Sequence, residues 1–516
     1  MKEMACRIRM FWYEYKPPLG FPLTRICRKR ISVIGGPGSK SRFRRPPYIC
    51  QNWYAWCLRS GSDPSDNQAP AGRHRVHGVL KSAILILTAS AALPVSSQPT
   101  ATDRSIALYQ KKASASASDP LNYDRLGAAY LQKGRETSDF AYYELAEKAL
   151  TKSIEIASPL DLSTVAPLTH LAAVYMGEHR FTDAAQFANQ AAALGSGDLS
   201  PFAILGDAHA DMGDYEEAYA FYEKLLIHYP SQQPSRTYSY MHDSRVSYLR
   251  FVRGDTPGAI DLVQRALSTA TQANMPAENV AWTYFQLGEY LYQSGDLSGA
   301  EAAYQQALNR YPGYYRGLSG MAKVRVAQQR YQDAIELYRK TIDTIPVPEY
   351  VAALGDLYWK TGQRQEAKKQ YDLVEYIGYL NGLNAHTYNR ELAVFYADHD
   401  MKLKESLDLA QKELEVRRDV YTQDVLAWSL YKGGKTKDAS IAMGKALARG
   451  TKDPLFFFHA GLIQRDLGNV EGAQEYLSHA LAINPQFHVF YADQARQVLE
   501  QISAHRTARK LDGNGR

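Results

Sequence analysis

The residues that could do chemistry in this 516-residue chain are few, and they do not converge. Nearest to a signature is Ile34-Gly35-Gly36-Pro37-Gly38-Ser39-Lys40-Ser41. A phosphate-binding loop needs four residues between its first Gly and a Gly-Lys-Ser/Thr end, so that backbone N–H groups wrap the phosphates and a helix N-terminus follows. Here Ser39 precedes Lys40, which leaves the loop one residue short. Pro46 and Pro47 bar a long helix after it. We read the match as coincidence. Cys50 and Cys57 lack a second Cys/His pair at zinc spacing. His170, His209, His386, His399 and His459 are scattered, with no HExxH among them, so each reads as a packing or surface residue. A Gly-x-Ser-x-Gly elbow is absent too. The expectation is a protein with no catalytic residues, no metal and no cofactor. An enzyme of unrecognised class is the alternative.

What the chain offers instead is periodicity. Leu205-Gly206 is followed by Ala218, Tyr222, Leu225 and Pro230, and Leu287-Gly288 by Ala300, Tyr304, Ala307 and Pro312 at the same offsets. Leu354-Gly355, Ala367, Tyr371 and Val374 repeat most of it, as do Ala460-Gly461, Ala473, Leu477, Ala480 and Pro485. The marker alanines are Ala146, Ala184, Ala218, Ala259, Ala300, Ala334, Ala367, Ala439 and Ala473, with Ser406 in the same role, at steps of 33 to 41 residues. Gly213, Gly254, Gly295, Gly362, Gly434 and Gly468 each stand five residues before their alanine. Gly there can take the left-handed conformation that closes one helix. The alanine sits where two helices approach closely, and the proline ends the second helix.

This pattern resembles the tetratricopeptide repeat family, whose 34-residue unit is a pair of antiparallel helices. The resemblance covers about residues 118–487 and points to an exported bacterial protein of that type. It implies an all-α fold, an α-α superhelix (solenoid) of about ten tandem helical hairpins with a C-terminal capping helix. The capping helix is expected over 487–506, with Tyr491, Ala495, Val498, Leu499 and Ile502 on one packing face and residues 510–516 frayed. Each unit is too small to bury its own apolar face, so stability is expected to be nearly a sum over neighbouring interfaces.

The resemblance also implies a non-enzymatic scaffold that binds a protein or peptide along its concave surface. Projecting the repeat register selects Trp282, Phe285, Tyr292, Trp359, Tyr421, Trp428, Tyr431 and Phe458, with Glu289, Asp356, Asp424 and Arg465 between them. Some members of the family clamp acidic C-termini with Lys, Asn and Arg. The matching positions here, among them Asp207, Lys323 and Asp356, do not form that clamp. Large rings separated by acidic groups suit an extended ligand with apolar anchors and basic character. The longer connections at 231–240 and 381–387 are the other candidate surfaces.

The front of the chain reads differently. Residues 1–75 carry 15 Lys and Arg against 4 Asp and Glu, hold all four cysteines and show no sustained periodicity. Residues 76–97 read as a secretory signal: Lys81, an apolar run over 83–93, Pro94, then small residues suited to cleavage after Ser97. The run is shorter than the roughly 20 residues of a membrane span. Two readings follow. Either 1–75 is a mis-assigned extension before an exported protein, periplasmic or extracellular, or it is a basic cytoplasmic tail before an uncleaved anchor. The second reading is a membrane-anchored adaptor in envelope or polysaccharide-secretion assembly. In the first, the membrane is met only transiently. Residues 98–120 read as linker and leading helix, 121–486 as the array. From Gln98 on, 44 basic residues face 50 acidic ones, so the overall +6 belongs to the front end and no basic stripe calls for nucleic acid.

Overall fold

The computed structural model describes residues 99–513 apart from 138, 158–160, 227–234 and 384–388. The basic extension, the phosphate-loop-like stretch, the four cysteines and the signal reading of 76–97 lie outside the described residues, as do 231–234 and 384–387 of the two longer connections.

Among the described residues there are helices and no strands. A leading helix α1 (Ala101–Ala115) precedes ten antiparallel pairs. These are α2 (Pro120–Thr137) with α3 (Phe140–Ile156), α4 (Val165–Gly177) with α5 (Phe181–Ala193), and α6 (Ser200–Asp211) with α7 (Tyr215–Glu223). Next come α8 (Arg236–Val252) with α9 (Thr256–Gln272), α10 (Ala277–Gln293) with α11 (Leu297–Arg310), and α12 (Tyr315–Ala327) with α13 (Tyr331–Thr344). The last four pairs are α14 (Pro348–Lys360) with α15 (Arg364–Leu383), α16 (Asn389–Asp398) with α17 (Leu403–Val416), α18 (Val420–Lys432) with α19 (Thr436–Leu447), and α20 (Pro454–Asp466) with α21 (Val470–Ile483). The capping helix α22 (Tyr491–Gly513) closes the array. It buries Tyr491, Ala495, Val498 and Ile502 on one face, and it runs past residue 510, where fraying was expected. A Thr100–Asp103 capping box starts α1.

The sequence markers have direct physical roles. All nine marker alanines and Ser406 are at 0% exposure. Each sits on the second helix of its pair, where any larger side chain would push the helices apart. All six turn glycines have positive φ, between 76 and 85°. Where the unit lacks that Gly, His179, Gln329 and Asp400 adopt the same left-handed state at φ 53 to 58°. A Cβ on Gly288 would run into the Tyr304 ring of the facing helix, so the Leu-Gly marker is a site of close approach.

One expectation fails. The units do not meet only their sequence neighbours, because the superhelix returns alongside itself. The turn of the third unit, at Gly213, meets the Arg418 carbonyl between the eighth and ninth units. The fourth meets the Gly450 carbonyl at Gly254, and the fifth meets the Ile483 carbonyl at Gly295. Each rung carries a hydrogen bond across the seam. Val420 N–H donates to the Tyr215 hydroxyl at 3.0 Å, Thr451 Oγ1–H to the Val252 carbonyl, and Asn484 Nδ2–H to the Tyr292 carbonyl at 2.8 Å. Arg417 reaches Asp211 and Arg449 reaches Glu216 along the same line. Beneath the first two rungs a single apolar core joins Tyr215, Leu249 and Val252 to Val420, Met443 and Phe456.

Candidate interaction site in the inner chamber

Closure of the seam turns the concave surface into a chamber of about 780 Å³. First helices supply most of its wall. The residue eighteen positions before the marker alanine lines it in the fifth, sixth, seventh, ninth and tenth units: Trp282, Arg316, Glu349, Tyr421 and Leu455. Phe285 and Asp424 stand one helical turn further along two of these helices. The cap adds Phe487, His488 and Tyr491.

A repeated polar unit holds part of this wall in place. Tyr304 donates its hydroxyl to Glu289 Oε1 at 2.7 Å, and Lys323 of the next unit pairs with Glu289 Oε2 at 3.1 Å. Tyr371 donates to Asp356 Oδ1 at 2.8 Å, and His399 of the next unit lies 2.8 Å from the same oxygen. Tyr222 and Arg245 treat Asp207 alike, at 2.9 and 2.8 Å. The acid, the tyrosine fifteen residues on and the base of the following unit therefore stitch the third unit to the fourth, the fifth to the sixth and the seventh to the eighth.

The chamber carries a carboxylate excess. Nine Asp or Glu residues line it against four Lys or Arg and three His. Arg417 and Arg390 are engaged by Asp211 and Asp419, both at 3.3 Å. Arg316 lies over the Phe285 and Tyr315 rings. Burial would lower Lys323, but Glu289 outweighs it and holds the ammonium well above its ordinary value. Burial pushes Asp453 up to about 7, with Asp424 adding to the rise, and pushes Asp211 up to about 6 against the pull of Arg417. Burial raises Glu349 as well.

The structure sorts the projected residues. Trp282, Phe285, Glu289, Tyr292, Asp356, Tyr421 and Asp424 line the chamber together. Trp428, Phe458, Tyr431, Arg465 and Trp359 do not. Trp428 is 2% exposed, stacks on His459 and donates its indole N–H to Asp398. Phe458 is fully buried against Tyr491 and Phe487. Both are core, because the next unit and the cap cover that side of the helix. Tyr431 and Arg465 bond Asp466 and each other. Trp359 is 47% exposed, under the Arg364 guanidinium at 3.5 Å. Register reasoning did not select Glu349, Asp453, His459 and His488. The eighteen-residue offset from Ala367 marks Glu349. His459, which by sequence reads as a packing or surface residue, occupies the position of Gln286 in the fifth unit, and both line the chamber. Asp453 and His488 lie in inter-helix connections, where no register applies.

Profiles described as tetratricopeptide repeat match residues 240–313, 285–347 and, separately, 201–226, 348–377 and 456–487. A TPR repeat-containing protein of Methanocaldococcus jannaschii is 26% identical over 313 residues, 55% of this chain and 52% of that protein. The chain thus spans about half the length of this curated relative. Among solved structures, the Cut9-Hcn1 hetero-tetramer of the APC/C matches at 13% identity and TM-score 0.30, covering 77% of this chain and 92% of that one. A tetratricopeptide repeat protein from Parabacteroides merdae matches at 17% and 0.30, covering 51% and 99%. MamA matches at 21% and 0.26, covering 33% and 93%. Over the matched residues the chain carries tetratricopeptide repeats.

Proposed function

We propose that the protein is a non-enzymatic interaction scaffold that holds an extended segment of a partner protein in the inner chamber. The tetratricopeptide repeat fold supports the scaffold role. The chamber supports the finer reading: it presents Trp282, Phe285 and Tyr421 as ring anchors beside Glu289 and Asp424, on helices fixed from unit to unit. Such rings beside acids suit a segment with apolar anchors and basic groups. Export to the periplasm or beyond rests on the signal-like stretch at 76–97 alone. Among the described residues no helix is long and apolar enough to cross a membrane.

The test is capture of partner segments from an arrayed peptide library by the chain beginning at Gln98, parent against Trp282→Ala with Phe285→Ala. Loss of capture by a variant that melts like the parent supports the chamber. Unchanged capture moves the binding surface elsewhere. N-terminal sequencing of the native protein tests export. A product starting near Gln98 supports it, and one retaining residues 1–75 replaces it with the anchored reading.

A further inference from the structure

We propose that the part of the chamber walled by Asp453, Asp424, His459 and Tyr421 is a subsite for one cationic side chain, a guanidinium or ammonium, of the bound segment. This rests on the reading of the chamber as a peptide site and names what that peptide must carry.

Two kinds of observation meet here. The first is carboxylate without a matching cation. Asp453 is 3% exposed. One oxygen accepts the Leu455 N–H at 2.9 Å, and among the described residues the other has only the Gln293 amide across the seam, at 3.4 Å. No Lys or Arg pairs with either Asp453 or Asp424 among the described residues. The second is acceptors without donors. His459 is 5% exposed, its Nδ1 lies 2.9 Å from Asp424 Oδ1, and its Nε2 has no hydrogen-bond partner among the described residues. In the neutral ring the Nδ1–H is given to Asp424, and Nε2 is left as an acceptor. Gln286 Oε1, also on the chamber wall, has no donor either. A buried acceptor left unpaired is costly, and these share one complement: a group rich in N–H and positively charged. Tyr421 adds a ring face of the kind such cations stack on.

Protonation supports the same occupant. Asp453 faces Asp424, His459, Lys323 and Tyr421, and burial, which disfavours the charge, holds its pKa near 7. A bound cation favours the carboxylate, so the Asp453 proton leaves to solvent as the cation enters. Binding then tightens as pH rises from 6 toward 8.

Calorimetry of the Gln98-start chain with Nα-acetyl-arginine amide, against Nα-acetyl-citrulline amide of the same shape and no charge, tests this. The arginine probe is expected to bind about tenfold or more tighter than citrulline, to release protons at pH 6.5, and to lose that advantage in Asp453→Asn and Asp424→Asn. Asp453→Asn keeps a side-chain oxygen that can cap helix α20, so the helix keeps its start. Equal binding of the two probes, or an arginine preference untouched by Asp453→Asn, overturns the subsite. If Asp453→Asn still captures library peptides that Trp282→Ala loses, the peptide site stands and the cation subsite falls. If neither variant alters capture, the chamber reading itself falls.

Discussion

Trp428 donates its indole Nε1–H to Asp398 Oδ1 at 2.7 Å, and Tyr491 of the capping helix donates its hydroxyl to the same oxygen at 2.6 Å. One carboxylate of the eighth unit thus ties the ninth unit to the cap. Trp428→Ala is expected to cost about 3–5 kcal/mol, the range for emptying a large buried ring. Trp359→Ala, half exposed at the surface, should fall within about 0.5 kcal/mol of the parent. Denaturant titration of the two single variants measures both. Similar losses would mean that Trp359 is not the surface residue described here.

The turn glycines separate two costs that usually travel together. Gly254 and Gly468 share nearly the same φ, 76 and 81°. A Cβ on Gly468 meets nothing within 4 Å, whereas one on Gly254 would collide with the Gly450 carbonyl oxygen. Gly468→Ala should therefore show only the left-handed backbone cost, about 1–2 kcal/mol. Gly254→Ala should lose more, and hydrogen exchange should rise near residues 450–454, far away in sequence. Equal losses would show that the seam is open in solution.

Ala300→Phe tests packing and its spread. Overpacking a fully buried alanine should cost about 1–3 kcal/mol or more. In a chain of units that meet only their neighbours, lost protection would stay around residues 281–326. The Gly295–Ile483 rung predicts that it also reaches Ile483 and Asn484. Exchange rates there equal to the parent's would restore the neighbour-only picture.

Stability should fall as pH rises from 5 to 8. Asp453 and Asp211 keep a proton in the fold that the unfolded chain has released above 3.8, so each step up to about 7 and about 6 favours unfolding. His242 and His399 add the same sign: burial lowers them, but Asp243 and Asp356 outweigh it, and the stability held by their raised pKa is lost as they deprotonate. His488, lowered by burial, opposes them. Asp453→Asn should flatten the slope of denaturation midpoint against pH. A slope equal to the parent's would show that Asp453 titrates normally.

The repeat class could be read from the sequence because it depends on local rules: an alanine where helices touch, a left-handed residue where they turn. Which rings face the chamber could not be read so fully. Trp428 and Glu289 hold the same register position, eleven residues before Ala439 and Ala300. In one unit that position anchors the unit-to-unit contact with an acid, in the other with a buried indole. A helical period of 3.6 gives the inner stripe but not how much of it the next unit covers. The seam left no sequence mark beyond ordinary glycines, since its partners lie 192 to 205 residues apart and each bond takes a backbone group on one side.

The three rungs also bear on how this chain can change over evolutionary time. An open solenoid gains or loses a repeat by duplication at little structural cost, because only one interface is new. Here the third, fourth and fifth turns are matched in step to the connections after the eighth, ninth and tenth units. Adding or removing one unit between Gly295 and Arg417 would slide every rung out of step at once. The array has in effect fixed its own repeat number, as a ring does, although its two ends are never joined.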